Sequence, residues 1–203
     1  MRTDLGSLHP AVVVLDMQRL FVGADGPFDS PTIVAALNEF LPRARAAGVP
    51  IVVSCYTLRN DLADAGLLAD QPFVADMRRS APLAAVDPRL EVEESDVICH
   101  HNRPSAFFRS DLEHVLRSRN VNALILTGVS TNNAISATAR DSFARDIPAV
   151  VVRDCTAPAP WETEVEVYLT VLDTWGTEVA TAADVLDAVQ RKGAGCHALP
   201  PSR

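Results

Sequence analysis

The chain has 203 residues, of which 48% are hydrophobic and 22% charged, and its formal net charge at pH 7 is -8. This length and composition predict a single globular domain, 1–203, with a substantial core. The acidic balance argues against a nucleic-acid partner, because phosphate binding requires a concentrated basic face.

No apolar run approaches the roughly 20 residues of a membrane span, and no apolar core of signal-peptide length follows the first residues. We therefore expect a cytoplasmic protein with no membrane partner. The cysteines at positions 55, 99, 155 and 196 have neither CxxC pairing nor histidine spacing suited to zinc, and free thiols are expected.

Short β-rich apolar runs alternate with helical patterns, which predicts a mostly parallel sheet with helices on both faces. The predicted strands lie near 11–16, 50–55, 96–100, 122–127 and 148–153, with a weaker one near 177–181. The predicted helices lie at 31–47, 109–119, 132–145, 162–174 and 182–191. Ser30 followed by Pro31 is a helix start signal, and Gly48 marks the end of that helix.

The segment 57–95 is less regular and predicts a long excursion with one short helix, of a kind that often covers a site. In an open parallel sheet the ligand crevice lies beyond the carboxyl ends of the strands. Three such ends carry polar residues, namely Asp16, the pair His100-His101, and the turn at residues 130–134.

Asp16 follows the apolar run 11–15, where burial can raise the pKa of a carboxyl group toward general acid or base use. A capping or structural ion-pair role fits this position equally well. His101 follows the third predicted strand and could relay a proton with Asp16 or hydrogen-bond a substrate. A structural histidine is the commoner case at a strand end, and His100 is expected to point to the opposite face.

Other side chains near these strand ends are candidates for the walls of a pocket. Phe21 follows the first strand, and Tyr56 and Arg59 follow the second. Arg78, with Arg79 beside it, could bind a substrate carboxylate bidentately, although a solvated surface pair is the commoner arrangement. Trp161 could form a lid or an oligomer contact.

The turn at residues 128–134 joins the apolar run 123–126 to a helical pattern. A turn of this kind directs backbone N–H groups and a helix N-terminus at the space above the sheet, which suits a carbonyl oxygen or an anion. Its polar residues are Ser130, Thr131, Asn132 and Asn133. Ala134, at the end of the turn, carries no group that can attack a substrate.

Several sequence blocks, in this order, resemble the isochorismatase-like hydrolase superfamily. They are Asp16-Met17-Gln18 with Phe21, Arg103-Pro104-Ser105-Ala106-Phe107-Phe108 with Asp111-Leu112, Gly128-Val129-Ser130-Thr131-Asn132, Ala137-Thr138-Ala139-Arg140-Asp141, and Val150-Val151-Val152-Arg153-Asp154. The resemblance covers roughly residues 10–190. It implies a three-layer α-β-α, Rossmann-like α/β fold with a mostly parallel six-stranded sheet, and, in the amidase branch, a triad of Asp, Lys and Cys.

Matched to that triad, Asp16 is the family aspartate, whereas His101 stands at the lysine position and Ala134 at the cysteine position. A methyl group cannot replace the thiolate that forms an acyl-enzyme, so amide hydrolysis through a covalent intermediate is not expected. The isochorismatase branch resembles this chain in having a small residue at the cysteine position, and there the aspartate protonates a vinyl ether carbon. That branch keeps the lysine. An engineered Cys→Ala substitution would explain Ala134 but not His101.

The resemblance also bears on metals and on assembly. Nicotinamidase-like relatives use an Asp and His cluster after the second strand, but residues 56–61 contain no histidine, so no metal is expected. Homo-oligomerisation is implied by the resemblance, with helix faces packing between subunits.

The sequence thus predicts a cofactor-independent isochorismatase-like enzyme that acts on a small anionic or carbonyl-containing metabolite by acid/base chemistry, in specialised metabolism. Asp16 is the predicted acid or base and His101 its partner. The turn at residues 131–134 is predicted to hold the substrate oxygen through backbone N–H groups. Two alternatives stay open: a non-catalytic small-molecule binder or partner protein on the same fold, and a Cys-to-Ala variant of a cysteine amidohydrolase.

Overall fold

The computed structural model describes residues 2–28, 31–158, 165–174 and 176–195. Its strands are β1 Pro10–Leu15, β2 Ile51–Tyr56, β3 Val97–His101, β4 Ala123–Val129, β5 Ala149–Ala157 and β6 Thr177–Ala180. They form one six-stranded sheet in the order β3-β2-β1-β4-β5-β6, and every neighbouring pair is parallel. The predicted sheet is confirmed, and each predicted strand overlaps an observed one.

The helices are α1 Arg19–Val22, α2 Pro31–Ala46, α3 Leu112–Ser118, α4 Ser136–Phe143, α5 Val165–Thr174 and α6 Ala182–Gly195. The five predicted helices each overlap an observed one, and the short helix α1 was not predicted. The third helix begins later than the predicted residue 109, because Arg109 has a φ of 48°, which a right-handed helix cannot contain. The excursion 57–95 holds three short 3₁₀ turns instead of one helix, at Gly66–Leu68, Val74–Met77 and Pro82–Ala84.

The helices cover both faces of the sheet, which gives the expected three layers. On one face, buried side chains of α2 and α6, such as Leu37 and Leu186, pack against the sheet. On the other face, α3, α4 and α5 contribute side chains such as Leu116, Ala139 and Leu172. Because both faces are covered, the central strands are mostly apolar, and every residue of β1, β2 and β4 is buried. No helix in the described part of the chain is long and apolar enough to cross a membrane.

The strand order places the carboxyl end of β1 at the centre of the sheet. The chain builds outward from β1 through β2 and β3 on one side, and through β4, β5 and β6 on the other. Leu15 lies opposite Ser54 of β2 and opposite Gly128 of β4. The strand order therefore reverses at β1 and β4, which is where ligands bind in open parallel sheets.

Gly128 allows the ends of β1 and β4 to come close together. Its φ is +100°, and a Cβ atom added there would lie 2.1 Å from the carbonyl oxygen of Leu15. Only glycine fits at this position, since both the conformation and the space exclude a side chain. The turn that follows β4 is thereby held beside the residue that follows β1.

Candidate active site

Asp16 lies immediately after β1, at the point where the strand order reverses. Its backbone N–H donates to the Ser54 carbonyl at 2.9 Å, so the β1–β2 hydrogen bonding extends one residue past the strand. The residue has a φ of 57°, which is uncommon for a residue other than glycine but tolerated by aspartate. The turn begun by this conformation leaves Asp16 only 5% exposed.

His101, the last residue of β3, directs its side chain across the end of β2 to Asp16. Its Nε2 lies 2.9 Å from Asp16 Oδ1. The Asp16 side chain is 7% exposed and the His101 side chain 0%. The two residues that the sequence predicted as partners are therefore in contact, and only the carboxyl group of the pair reaches solvent.

The other ring nitrogen of His101 determines where the protons of this pair lie. Nδ1 is 2.6 Å from the carbonyl oxygen of Arg103. A carbonyl oxygen can only accept, so Nδ1 carries a proton. A single further proton is then shared between Nε2 and the Asp16 carboxyl: either an imidazolium faces a carboxylate, or a neutral imidazole accepts from a carboxylic acid.

Burial and mutual attraction shift the pKa values of both groups. Burial raises the pKa of Asp16, against the opposing effects of the His101 charge and of hydrogen bonds from His101 and the Tyr56 backbone. Burial alone would lower the pKa of His101, but the Asp16 charge and the hydrogen bonds with Asp16 and Arg103 together raise it above the ordinary histidine value. Each group therefore holds the shared proton to a higher pH than it would at its ordinary pKa.

Two aromatic residues cover the pair. The Tyr56 ring stacks on the His101 ring, with 5.2 Å between centroids and an angle of 21° between planes. Phe21 packs against Tyr56 at 6.4 Å between centroids. Both side chains were predicted as pocket walls, but neither lines the cavity beside His101. Tyr56, backed by Phe21, instead limits the access of water to the imidazole.

Gln18 joins the end of β1 to the end of β2. Its side chain is fully buried. The amide nitrogen donates to the carbonyl oxygens of Tyr56 at 3.1 Å and Ala84 at 2.8 Å, and the amide oxygen accepts from the Tyr56 N–H at 2.6 Å. Gln18 thus holds Tyr56 over His101 and attaches the excursion 57–95 to the site.

The turn after β4 satisfies much of its own hydrogen bonding. Residues Thr131–Ile135 form a π turn, in which the Ile135 N–H donates to the Ser130 carbonyl five residues earlier and the Asn133 N–H donates to the same oxygen. Ser130 Oγ donates to Asn132 Oδ1 at 3.1 Å. The N–H groups of Asn133 and Ile135 are therefore engaged, so any substrate oxygen held by this turn requires other donors.

Thr131 and Ala134 point into packed surroundings. Thr131 is fully buried, and its hydroxyl lies 3.0 Å from that of Thr156 on β5. Ala134 is 1% exposed and packs in the apolar cluster beneath α4 with neighbours such as Leu126.

The thiols in the described part of the chain are unsuited to nucleophilic attack. Cys55, Cys99 and Cys155 are buried and unpaired. Burial raises the pKa of Cys55 to about 12, that of Cys99 to about 11 and that of Cys155 to about 12. Each stays protonated near neutral pH, and the thiolate is the reactive form. The fourth cysteine, Cys196, lies outside the described residues.

A cavity of about 410 Å³ adjoins the carboxyl ends of β2 and β3, next to His101. Its charged and titratable lining residues are Arg59, Arg79, Arg109, Asp61, Asp64, His100 and His101. Arg78, the arginine singled out from the sequence, is not part of the lining, and its Nε donates to the Asn60 carbonyl at 3.1 Å. Asp16 does not line the cavity, which lies on the His101 side of the pair.

Comparison with known proteins then places this chain in a family. Residues 10–184 match the Isochorismatase domain. The chain belongs to the isochorismatase family.

Several proteins that are similar to this chain are named as hydrolases. The chain is 28% identical over 209 residues to ureidoacrylate amidohydrolase from Enterobacter, covering 89% of each sequence. It is 28% identical over 151 residues to maleamate amidohydrolase from Pseudomonas putida, covering 72% of this chain and 71% of that protein. A cysteine hydrolase from Pseudomonas syringae pv. phaseolicola superposes with a TM-score of 0.83 and 29% identity, covering 91% of this chain and 93% of that one. The isochorismatase-like hydrolase assignment made from the sequence is confirmed.

The structure also places beside the candidate site residues that sequence reasoning missed. Asp64 accepts hydrogen bonds from the Arg59 N–H at 2.9 Å and from Asn102 Nδ2 at 2.9 Å. Arg103 Nη1 donates to the Asp64 carbonyl at 3.1 Å. Asp64 thus anchors the segment whose Arg103 carbonyl fixes the His101 proton. Sequence offers no signal for this link, because Asp64 lies in an irregular region.

His100, expected on the opposite face from His101, also borders the cavity, because the cavity adjoins the end of β3, an edge strand. Among the residues that the structure describes, no group of three or more His, Cys, Asp or Glu side chains is arranged to hold a metal ion. Trp161, the suggested lid or oligomer contact, lies outside them.

Proposed function

We propose that this isochorismatase-like hydrolase acts on a small carbonyl-containing anionic metabolite by acid/base chemistry, without a cofactor and without a cysteine nucleophile. The observation that carries the proposal is the buried contact of 2.9 Å between Asp16 Oδ1 and His101 Nε2. The raised pKa values of Asp16 and His101 support a role for the pair as proton donor and acceptor. Ala134 and the three buried, protonated cysteines support a mechanism in which water attacks directly.

In the proposed reaction Asp16 begins as a carboxylate facing the His101 imidazolium. Asp16 takes a proton from a water molecule while the water oxygen bonds to the substrate carbonyl carbon. It then returns that proton to the leaving group as the bond between that group and the carbonyl carbon breaks. A raised pKa makes the carboxylate a stronger base than an ordinary aspartate, which suits this task near neutral pH.

His101 acts through Asp16 in this mechanism, because its own side chain is inaccessible to solvent. The imidazolium stabilises the carboxylate, and the Arg103 carbonyl keeps its Nδ1 proton in place. The stacked Tyr56 ring restricts water around the imidazole, which strengthens the electrostatic coupling of the pair.

The names of the relatives suggest substrates for a first test. Ureidoacrylate and maleamate each combine a carboxylate with an amide-type carbonyl. The hydrolase named for ureidoacrylate matches this chain over 89% of each sequence. The hydrolase named for maleamate matches 72% of this chain and 71% of its own length. We propose maleamate as a first probe, followed by metabolite extracts examined by mass spectrometry before and after incubation.

The deciding experiment compares the unmodified chain with Asp16→Asn and with Asp70→Asn. Asp70 is an exposed aspartate, so its variant serves as the matched control. The unmodified chain and Asp70→Asn should consume a compound at the same rate. Asp16→Asn should consume it roughly 10²- to 10⁴-fold more slowly, the range that a general acid or base supplies. Equal consumption by Asp16→Asn would contradict the proposed role of the carboxylate.

A second candidate is a small-molecule binder that performs no reaction. It is favoured by one observation, the alanine at the position that resembles the cysteine of the amidase branch. A binder would enrich a compound from the extracts and release it unchanged after long incubation. Consumption that depends on Asp16 would exclude it.

A further inference from the structure

We propose that the cavity beside the Asp16–His101 pair is a subsite for a single substrate carboxylate, which Arg79 and Arg109 bind. The inference rests on the proposed function for the reaction itself, and it goes further by naming the anionic group and the residues that recognise it. It follows from the charges around the cavity and from the hydrogen bonds that those charges already make.

Three arginines, two aspartates and His101 line the cavity. The charge of a His101 imidazolium is balanced by its contact with the Asp16 carboxylate, so the arginines and aspartates leave one positive charge in excess. Arg59 is already committed, because its Nε lies 2.9 Å from Asp61 Oδ1 and its Nη2 lies 2.5 Å from Asp61 Oδ2. Asp64 accepts from the neutral N–H groups of Arg59 and Asn102, so its charge has no ion-pair partner among the described residues.

The two remaining arginines of the cavity are Arg79 and Arg109. Within the described parts of the chain, the guanidinium groups of Arg79 and Arg109 make no ion pair and no hydrogen bond with protein. Arg79 comes from the excursion after β2, and Arg109 from the segment after β3, so the two reach the cavity from different parts of the chain. A guanidinium offers parallel N–H donors that match the two oxygens of a carboxylate.

His100 completes the cavity wall without adding charge. Burial, followed by the nearby charges of Arg79 and His101, lowers the pKa of His100. Its Nδ1 lies 3.1 Å from the hydroxyl of Thr57. A neutral imidazole near pH 7 leaves the two arginines as the uncompensated cations of the cavity.

The balance of charges selects one carboxylate over two. Asp61 and Asp64 lie on the same cavity, and a second negative charge on the ligand would face their repulsion while the net excess is a single positive charge. A volume of about 410 Å³ suits a small metabolite. The subsite therefore fits a small monoanion whose carboxylate lies at the arginines and whose other end extends toward His101.

Three isosteric probes that differ in charge test this subsite. Maleamide is neutral, maleamate carries one carboxylate and maleate carries two. Binding of each is measured by calorimetry or by NMR titration, in the unmodified chain and in Asp16→Asn, which keeps the probes intact and replaces no residue of the cavity lining. The variants Arg79→Gln and Arg109→Gln remove one guanidinium each. Arg78→Gln, the neighbouring arginine outside the cavity, is the matched control.

We expect maleamate to bind at least tenfold more tightly than maleamide, and also more tightly than maleate. Each of Arg79→Gln and Arg109→Gln should weaken maleamate binding roughly tenfold to a hundredfold, the value of a charge-assisted hydrogen bond, with little effect on maleamide. Arg78→Gln should bind maleamate as the unmodified chain does. Both cavity arginines are exposed, so their variants should keep the fold, which circular dichroism checks.

Several results would overturn the subsite. They are equal affinity for maleamide and maleamate, preference for maleate, loss of affinity in Arg78→Gln comparable to that in the cavity variants, and no measurable maleamate binding at millimolar concentration. The subsite and the reaction fail separately. If turnover depends on Asp16 but binding shows no selectivity for charge, the proposed reaction is supported and the subsite is excluded. If binding is selective for the monoanion but no turnover occurs, the subsite is supported and the proposed reaction is excluded.

Discussion

Replacing Asp16 with asparagine should reverse the pH dependence that His101 gives to the free energy of unfolding. In the unmodified protein the pKa of His101 is raised above the ordinary value of about 6.5. Between that value and the folded pKa, the folded state holds a proton that the unfolded state has lost. The stabilisation that comes from the raised pKa of His101 is therefore complete below about pH 6.5 and is lost as the pH rises through the folded pKa.

The structure gives the sign and the limiting size of the effect in the variant. Asparagine can still donate its amide N–H to His101 Nε2, so the hydrogen bond is kept while the charge of Asp16 is removed. Burial, the largest influence on this pKa, then outweighs the remaining hydrogen bond to the Arg103 carbonyl and lowers the pKa of His101. Below about pH 6.5 the variant should gain stability as the pH rises, with a limiting slope of about 1.4 kcal/mol per pH unit for one proton.

The assay is urea unfolding followed by circular dichroism from pH 5.5 to 8.5, with the difference in unfolding free energy between the unmodified chain and Asp16→Asn plotted against pH. That difference should fall steadily with pH. NMR titration of the His101 ring measures the pKa directly in both proteins, and Asp70→Asn should reproduce the unmodified curve. A flat or rising difference would refute the shared proton and the roles assigned to Asp16 and His101.

Three other substitutions test how the site is built. Gly128→Ala places a Cβ atom 2.1 Å from the Leu15 carbonyl oxygen at a φ of +100°. It should therefore lower the free energy of unfolding, measured in urea, by about 3 kcal/mol or more. Gly48→Ala, whose added Cβ has no atom within 4 Å, should lower it by about 1 kcal/mol. Gln18→Leu removes three buried hydrogen bonds and should lower the unfolding free energy by roughly 2–4 kcal/mol. Ala134→Cys should release no ammonia from maleamate, since a thiol buried at this position keeps its proton.

Each of these has an outcome that would contradict it. A Gly128→Ala protein as stable as Gly48→Ala would show that the ends of β1 and β4 can separate at little cost. An unchanged unfolding midpoint in Gln18→Leu would mean that Gln18 does not hold the site together. Ammonia release by Ala134→Cys would support the alternative that the chain is a cysteine amidohydrolase whose nucleophile has been replaced.

The fold could be predicted because its signals are local in the sequence. Continuous apolar runs such as 11–15 mark strands buried on both faces, and the helical patterns between them require parallel crossovers. The same runs placed Asp16 and His101 at strand ends. The excursion 57–95 was less predictable, because its short 3₁₀ turns leave no periodic apolar pattern long enough to recognise.

The candidate site was predictable only in part, for a related reason. The lysine and cysteine positions implied by the family resemblance drew attention to His101 and Ala134, but Arg109 and Asp64 carry no pattern of their own. Arg109 reaches the cavity because it adopts a φ of 48° before α3 begins, and a single residue's conformation of that kind is set by its tertiary surroundings. The sequence suggested Arg78, with Arg79 beside it, as a carboxylate binder, and of the two only Arg79 lines the cavity.

The sequence by itself determined the parallel α/β architecture, the family and the presence of an acid beside an imidazole at the carboxyl ends of the strands. The tertiary structure alone decided that Asp16 and His101, 85 residues apart, share one proton. It also decided that the Arg103 carbonyl holds the second imidazole proton on His101 Nδ1. The physical reason is that apolar periodicity acts over a few neighbouring residues. Proton sharing depends instead on contacts of about 3 Å, which strand order and register create between distant parts of the chain.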